Sequence, residues 1–103
     1  MSARVLIIDD QNDFRRLLAR HIHTGFESPS VAEYEPAVRG RLPPDFSGSA
    51  YDAVLLGDMP GSEFGIDWLR DLSRRNGFPP IIYFVAKPAP DIEEAAIHAG
   101  AHA

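Results

Sequence analysis

Two adjacent carboxylates, Asp9 and Asp10, follow directly after the apolar run from Val5 to Ile8. Neighbouring acids at the end of a buried strand repel each other unless something compensates their charge. Mg²⁺ does so in many proteins, since it prefers oxygen ligands and often takes only one or two carboxylates. The alternative is that both acids are solvated and begin the next helix at the favourable end of its dipole. Spacing alone leaves both hypotheses open.

Two further strand ends carry candidate site residues. Gly57 and Asp58 end the third predicted strand, and Val85 and Ala86 end the fourth. In an open parallel α/β sheet, ligands bind at the carboxyl ends of the strands. We therefore expect these segments at the same edge of the sheet as the first acidic pair. For Asp58, the alternative to a role in a ligand site is that it is a turn-forming acid before Pro60.

The elements that must position these residues alternate along the chain. Continuous apolar runs predict strands buried on both faces, and apolar residues at helical spacing predict amphipathic helices. The predicted strands are Val5–Ile8, Ser30–Tyr34, Ala53–Leu56 and Ile81–Val85. The predicted helices are Asp13–His23, Gly65–Arg75 and Asp91–Ala99, with at most a short helix around Ala37–Leu42. This alternation predicts βαβ units and an α/β fold with a parallel sheet.

The first helix has a predicted apolar face and a predicted wet face. The apolar face consists of Phe14, Leu17, Leu18 and Ile22. The solvent side is expected to carry Arg15, Arg16 and Arg20. Helix ends are indicated by Asp13 and Asp91 as N-caps and by Gly25 and Gly100 as stops.

Composition narrows the class of protein. The chain of 103 residues fits one domain, and its formal net charge of -5 argues against direct binding to nucleic acid or an acidic membrane. The absence of cysteine excludes disulfides, Cys-based zinc sites and thiol catalysis. The N-terminal apolar run is too short for a signal segment or a spanning helix. We therefore expect a cytoplasmic protein.

Three ordered segments resemble response-regulator receiver (CheY-like) domains. They are VLIIDDQNDFRRLLARHI, YDAVLLGDMPGSEFGIDWLRDL and FPPIIYFVAKPAPDIEEAAIHAGAHA. The resemblance implies a flavodoxin-like, doubly wound sheet of five strands in a signalling module that is not itself an enzyme. Such domains accept a phosphoryl group onto an aspartate, with Mg²⁺ bound, from a sensor histidine kinase or phosphotransfer protein. This chain stops after a helix, so we expect the N-terminal part of a larger protein, ending before the fifth strand and helix.

Matching the family's residues one at a time gives a divided result. Asp9 and Asp10 match the metal-binding pair. In the family, the acceptor aspartate stands eight residues before the glycine that opens the next helix. In this sequence that glycine is Gly65, and the residue eight positions before it is Gly57. Asp58 stands one place later and is the candidate for a shifted phospho-acceptor and a third metal ligand.

The family's other phosphoryl-binding residues also differ here. The hydroxyl residue of the fourth strand is replaced by Val85, although the small residue after it is kept as Ala86. The family's lysine would lie beyond Ala103. Two hypotheses therefore follow: a phosphoryl-accepting switch, or a phosphorylation-independent pseudo-receiver that serves for protein interaction or homodimerisation. A metal-dependent hydrolase is a distant third, because no second catalytic cluster supports it.

Overall fold

In the computed structural model, strands and helices alternate as the sequence predicts. The structure describes residues 3–25, 28–43, 46, 48–57, 65–75, 77–84 and 90–101. The strands are β1 (Arg4–Ile8), β2 (Ser30–Tyr34), β3 (Ala53–Gly57) and β4 (Ile81–Phe84). The helices are α1 (Asn12–Gly25), α2 (Pro36–Arg39), α3 (Gly65–Ser73) and α4 (Pro90–Ala99). None of the described helices is long and apolar enough to cross a membrane.

All strands pair in parallel, in the order β2-β1-β3-β4. The chain moves outward from β1 to β2 and then returns past β1 to add β3 and β4, so the topological switch point lies between β1 and β3. Ile8 pairs with Leu56 in the register of these two central strands. This register brings Asp9 and Gly57, the residues that follow the pair, to the same edge. The predicted doubly wound parallel sheet is confirmed.

The sheet separates two apolar clusters. On one face, α1 covers alternate residues of β1, with Val5, Ile7 and Ile22 buried together. On the other face, α3 and α4 cover the intervening residues, and Leu69 is fully buried beside Ile8 and other strand residues. Burial on both faces explains why these strands are continuous apolar runs rather than alternating patterns.

The predicted faces of α1 are partly wrong. Leu17, expected in the core, is 48% exposed, whereas Arg15, expected in solvent, is buried at 7% exposure. Residues four and seven positions after Arg15 are Ala19 and Ile22, and this spacing puts all three on one helical stripe. That stripe faces the sheet. Leu17 lies two residues from Arg15, about 200° around the helix, and so points away.

The predicted helix ends need further corrections. Helix α1 begins at Asn12 and α4 at Pro90, so Asp13 and Asp91 lie within the first turns rather than at the N-caps. Their negative charge still favours the positive end of the helix dipole. Gly25 ends α1 as predicted. Gly100, with φ of 118°, follows α4 as predicted and adopts a conformation that suits glycine.

The proline-rich middle segment contains less helix than predicted. Helix α2 ends at Arg39, whereas the sequence allowed a helix to Leu42. The irregular chain beyond it is held by Arg75, whose guanidinium donates to the carbonyl oxygens of Pro43 at 2.8 Å and Phe46 at 2.7 Å. Helix α3 ends at Ser73, two residues before its predicted end. Val85, the predicted end of the fourth strand, lies outside the described residues.

A surface ion pair ties the start of β1 to the turn before β3. The Arg4 guanidinium donates to Asp52 Oδ1 at 3.0 Å, and the Arg4 backbone N–H donates to Asp52 Oδ2 at 2.9 Å. These bonds lower the pKa of the Asp52 carboxyl below its ordinary value, and the bond from the guanidinium has the largest effect. A carboxyl whose pKa is lowered by folding adds stability above its unfolded pKa and loses it as pH falls through the folded pKa.

We therefore expect Arg4→Gln to destabilise the protein at neutral pH by an amount that shrinks as pH falls below about 4, where Asp52 is protonated. The measurement is urea unfolding of both proteins at a series of pH values. Asp52→Asn is the matched control, because it removes the titrating group, and adding Arg4→Gln to it should give a loss that does not vary with pH. A loss of equal size at all pH values in the unmodified background would contradict this assignment.

Candidate functional site

Asp9 is the first residue after β1 and is partly buried. Its backbone N–H continues the pairing with β2 by donating to Tyr34 O at 3.2 Å. Its side-chain Oδ1 accepts the backbone N–H of Gln11 at 2.7 Å. Since Gln11 immediately precedes α1, this carboxylate fixes the turn between strand and helix, as aspartate side chains often do.

Asp10 performs a similar role for a different helix. Its Oδ1 accepts the backbone N–H of Ala37 at 2.8 Å, from 27 residues away in sequence. Ala37 lies in the first turn of α2, which contains no acidic residue, and the side chain of the N-cap residue Glu35 makes no capping bond. Asp10 therefore supplies, from the loop after β1, the carboxylate that normally comes from an N-cap.

Gly57 ends β3 beside Asp9. A Cβ atom added at Gly57 would overlap Oδ2 of Asp9 and lie 2.9 Å from its Cγ. The Asp9 carboxylate therefore occupies the space in which any side chain at position 57 would begin. A side chain at position 57 would therefore require the Asp9 carboxylate to move, and backbone conformation plays no part, since Gly57 is not among the glycines with positive φ.

Arg15 holds this edge together and was missed as a site residue by the sequence reasoning. Its Nη1 donates to the backbone oxygen of Asp9 at 2.7 Å, and its Nη2 donates to Asn12 Oδ1 at 3.1 Å. It also donates to two acids of the β2 region, to Glu33 at 3.1 Å and to Glu35 at 3.3 Å. A buried guanidinium needs such partners, because an unpaired charge away from water is costly. Arg15 thus joins the ends of β1 and β2 to α1.

The arrangement provides two carboxylates for a cation. Asp9 and Asp10 lie at the carboxyl edge of the sheet, as predicted, and one oxygen of each accepts a backbone N–H. Among the described residues, no group of three His, Cys, Asp or Glu side chains could hold a metal ion. Two carboxylates with water are nevertheless a donor set that Mg²⁺ accepts. The residues that would hold it are Asp9 and Asp10, and the ion would neutralise charge developing on a transferred phosphoryl group.

The remaining predicted site residues fall outside the described part of the chain. They are the candidate acceptor and third metal ligand Asp58 and the fourth-strand residues Val85 and Ala86. Their roles stay predictions. Position 57, where the family's spacing places the acceptor, is described, and it is a glycine packed against Asp9.

No protein-family model and no curated protein matches the sequence. Solved structures match its fold over nearly the whole chain. The signal receiver domain of a DNA-binding response regulator from Colwellia psychrerythraea 34H is 19% identical with a TM-score of 0.79, covering 98% of this chain and 82% of that one. The Vibrio cholerae chemotaxis protein CheY4 is 15% identical with a TM-score of 0.77, covering 98% and 82%.

A third match carries a ligand. A response regulator from Burkholderia pseudomallei, solved with a phosphorylated aspartic acid, a calcium ion and citrate, is 18% identical with a TM-score of 0.74, covering 97% of this chain and 56% of that one. These matches agree with the strand order and with the position of the two acids after β1, and together they identify the fold. The chain has the flavodoxin-like fold of response-regulator receiver domains, and the predicted resemblance is confirmed at the level of the fold.

Proposed function

We propose that this chain is a receiver-type module of two-component signalling that acts through protein contact, without being phosphorylated. The observation that carries the proposal is Gly57. It stands where the family's spacing leads to the acceptor, has no carboxylate, and is packed against the side chain of Asp9. An acceptor side chain at this position would need the Asp9 carboxylate, whose Oδ1 accepts the Gln11 N–H, to move.

The two acids support the same proposal. Each has a structural role that does not require a metal ion, since Asp9 fixes the start of α1 and Asp10 caps α2. The repulsion that the adjacent carboxylates suffer is offset by these backbone N–H groups and by the Arg15 guanidinium, which binds the Asp9 carbonyl oxygen. These contacts favour a role of the pair in helix capping over Mg²⁺ binding.

The second candidate is the phosphoryl-accepting switch. It is favoured by the position of both acids at the switch point and by the phosphorylated aspartate and calcium ion of the Burkholderia pseudomallei regulator. In this alternative, Asp9, Asp10 and Asp58 hold Mg²⁺, and Asp58 accepts the phosphoryl group from a sensor histidine kinase or phosphotransfer protein.

The proposal also covers the setting of the module. Residues 1–103 form one cytoplasmic domain, and the module regulates an attached or partner output. Its partner is a protein of a two-component pathway or a second copy of this chain. It has no catalytic activity of its own and does not bind nucleic acid or membrane directly, in keeping with the net charge of -5.

The test is incubation with acetyl phosphate and Mg²⁺, followed by measurement of the intact mass. We expect no added phosphoryl group, because Gly57 offers no acceptor oxygen. A receiver domain with an intact acceptor, treated in the same tube, shows that the donor is active. An added phosphoryl mass that disappears in Asp58→Asn would overturn the proposal and establish the switch.

A further inference from the structure

A cleft of about 370 Å³ lies at the edge of the sheet opposite Asp9 and Asp10. It is formed where the end of α3, the start of β4 and the end of α4 meet. All residues that line it are in the described part of the chain. Its volume is within the range of about 300–1,000 Å³ typical of small-molecule sites.

The cleft is basic, although the protein is acidic. Its lining includes Arg70, Arg74 and His98 and no aspartate or glutamate, whereas the whole chain has 15 acidic and 10 basic residues. Arg70 contacts Asp67 at 3.6 Å with both side chains about half exposed, a kind of pair that contributes little. Within the described part of the chain, Arg74 has no ion pair. Both guanidiniums are therefore available to an anion.

The arginines are not needed to close the helix ends beside them. Cations often lie near helix C-termini because the last carbonyl groups lack partners. Here Ser73 Oγ donates to Ala99 O at 2.8 Å, and the N–H groups of Gly100 and Ala101 donate to Ala96 O at 3.1 and 3.0 Å. The end of α4 is thus closed by the chain's own groups, which leaves the positive charge of the cleft without a structural task there.

His98 adds a third polar group. Its Nδ1 lies 2.9 Å from the backbone oxygen of Glu94, and a carbonyl oxygen accepts only from a protonated nitrogen. With the proton on Nδ1, the neutral ring presents Nε2 as a hydrogen-bond acceptor, which suits a hydroxyl or N–H group of a ligand.

Part of the lining is apolar. It is formed by Phe78, Pro79 and Ile81, of which the first two are partly exposed. A site that combines a few convergent polar groups with an apolar wall suits a ligand of mixed character. A phosphate group matches the guanidinium pair, because arginine presents a planar fork of donors to phosphate oxygens. A flat apolar group matches the wall of Phe78 and Pro79.

We propose that this cleft binds a small organic phosphate, with the phosphate at Arg70 and Arg74 and a flat apolar group against Phe78 and Pro79. The site is distinct from the acidic edge and does not rest on the proposed signalling function.

The probe is phenyl phosphate, titrated into the ¹⁵N-labelled chain and followed by amide chemical shifts. Saturable shifts are expected at Ser73, Phe78 and Gly100, with affinity that falls as salt is added. Arg74→Gln should weaken binding at least about fivefold, as expected for a lost charged hydrogen bond. Arg20→Gln, which removes an exposed arginine of α1, is the matched control and should leave the affinity unchanged.

Two simpler probes separate the two halves of the site. Inorganic phosphate and phenol should each bind more weakly than phenyl phosphate. Equal affinity for phenol would overturn the assignment of the arginines, and equal affinity for inorganic phosphate would overturn that of the apolar wall. Absence of saturable shifts, or equal weakening by Arg74→Gln and Arg20→Gln, would overturn the proposal as a whole.

Discussion

Replacing Arg15 by methionine is expected to lower the free energy of unfolding by about 2 kcal/mol, as for the loss of hydrogen bonds to charged groups. Methionine keeps most of the apolar stem, so the loss is mainly that of the guanidinium's hydrogen bonds. Glu33 and Glu35 would lose their partner at the edge of the protein, and the Asp9 carbonyl oxygen would lose its donor. The side chains of Glu33 and Glu35 are 39% and 34% exposed, so water can partly replace the guanidinium.

The measurement is urea unfolding followed by far-ultraviolet circular dichroism. Arg16→Met is the matched control, since Arg16 is the neighbouring arginine on α1 and is exposed. Its effect should stay within about 0.5 kcal/mol, as for most surface changes. Equal effects of the two substitutions would contradict the burial of Arg15, and with it the link that Arg15 makes between β1 and β2.

Replacing Gly57 by alanine is expected to cost about 2 kcal/mol, because the new Cβ atom overlaps the carboxylate of Asp9. The Asp9 carboxylate must move aside, which disturbs its bond to Gln11 N. Denaturant unfolding measures the change. Gly25→Ala is the matched control, since a Cβ atom there would meet nothing within 4 Å, and it should be close to neutral.

The overlap can be isolated in a double-mutant cycle with Asp9→Ala. A Cβ atom at position 57 would lie 3.4 Å from the Cβ of Asp9, an ordinary contact that alanine at position 9 preserves. In the Asp9→Ala background, Gly57→Ala should therefore lose most of its cost. A cost that is the same in both backgrounds would show that the two residues are not coupled, and would remove the contact on which the proposed function depends.

The strands were predictable from sequence because their signal is local. A strand buried on both faces reads as an uninterrupted apolar run, and Val5–Ile8 and Ala53–Leu56 both do. Asp9 and Asp10 could be assigned to the carboxyl edge for the same reason, since a parallel sheet brings all its strand ends to one side.

The contacts made at that edge were not predictable because they join distant parts of the chain. Nothing near Asp10 in sequence indicates that its partner is Ala37, and nothing near Gly57 indicates that Asp9 packs against it. The burial of Arg15 had a weak signal, its spacing of four and seven from Ala19 and Ile22. That signal was outweighed by the ordinary expectation that arginine faces water.

The central claim is that the carboxylates of Asp9 and Asp10 serve the starts of α1 and α2 and are not half of a phosphorylation site. The most direct test is the amide spectrum of the ¹⁵N-labelled chain with Mg²⁺ alone and then with Mg²⁺ and acetyl phosphate. We predict that the resonances of Gln11, Ala37 and Gly57 are the same in both conditions. Shifts of these amides that require acetyl phosphate, and that are lost in Asp58→Asn, would contradict it.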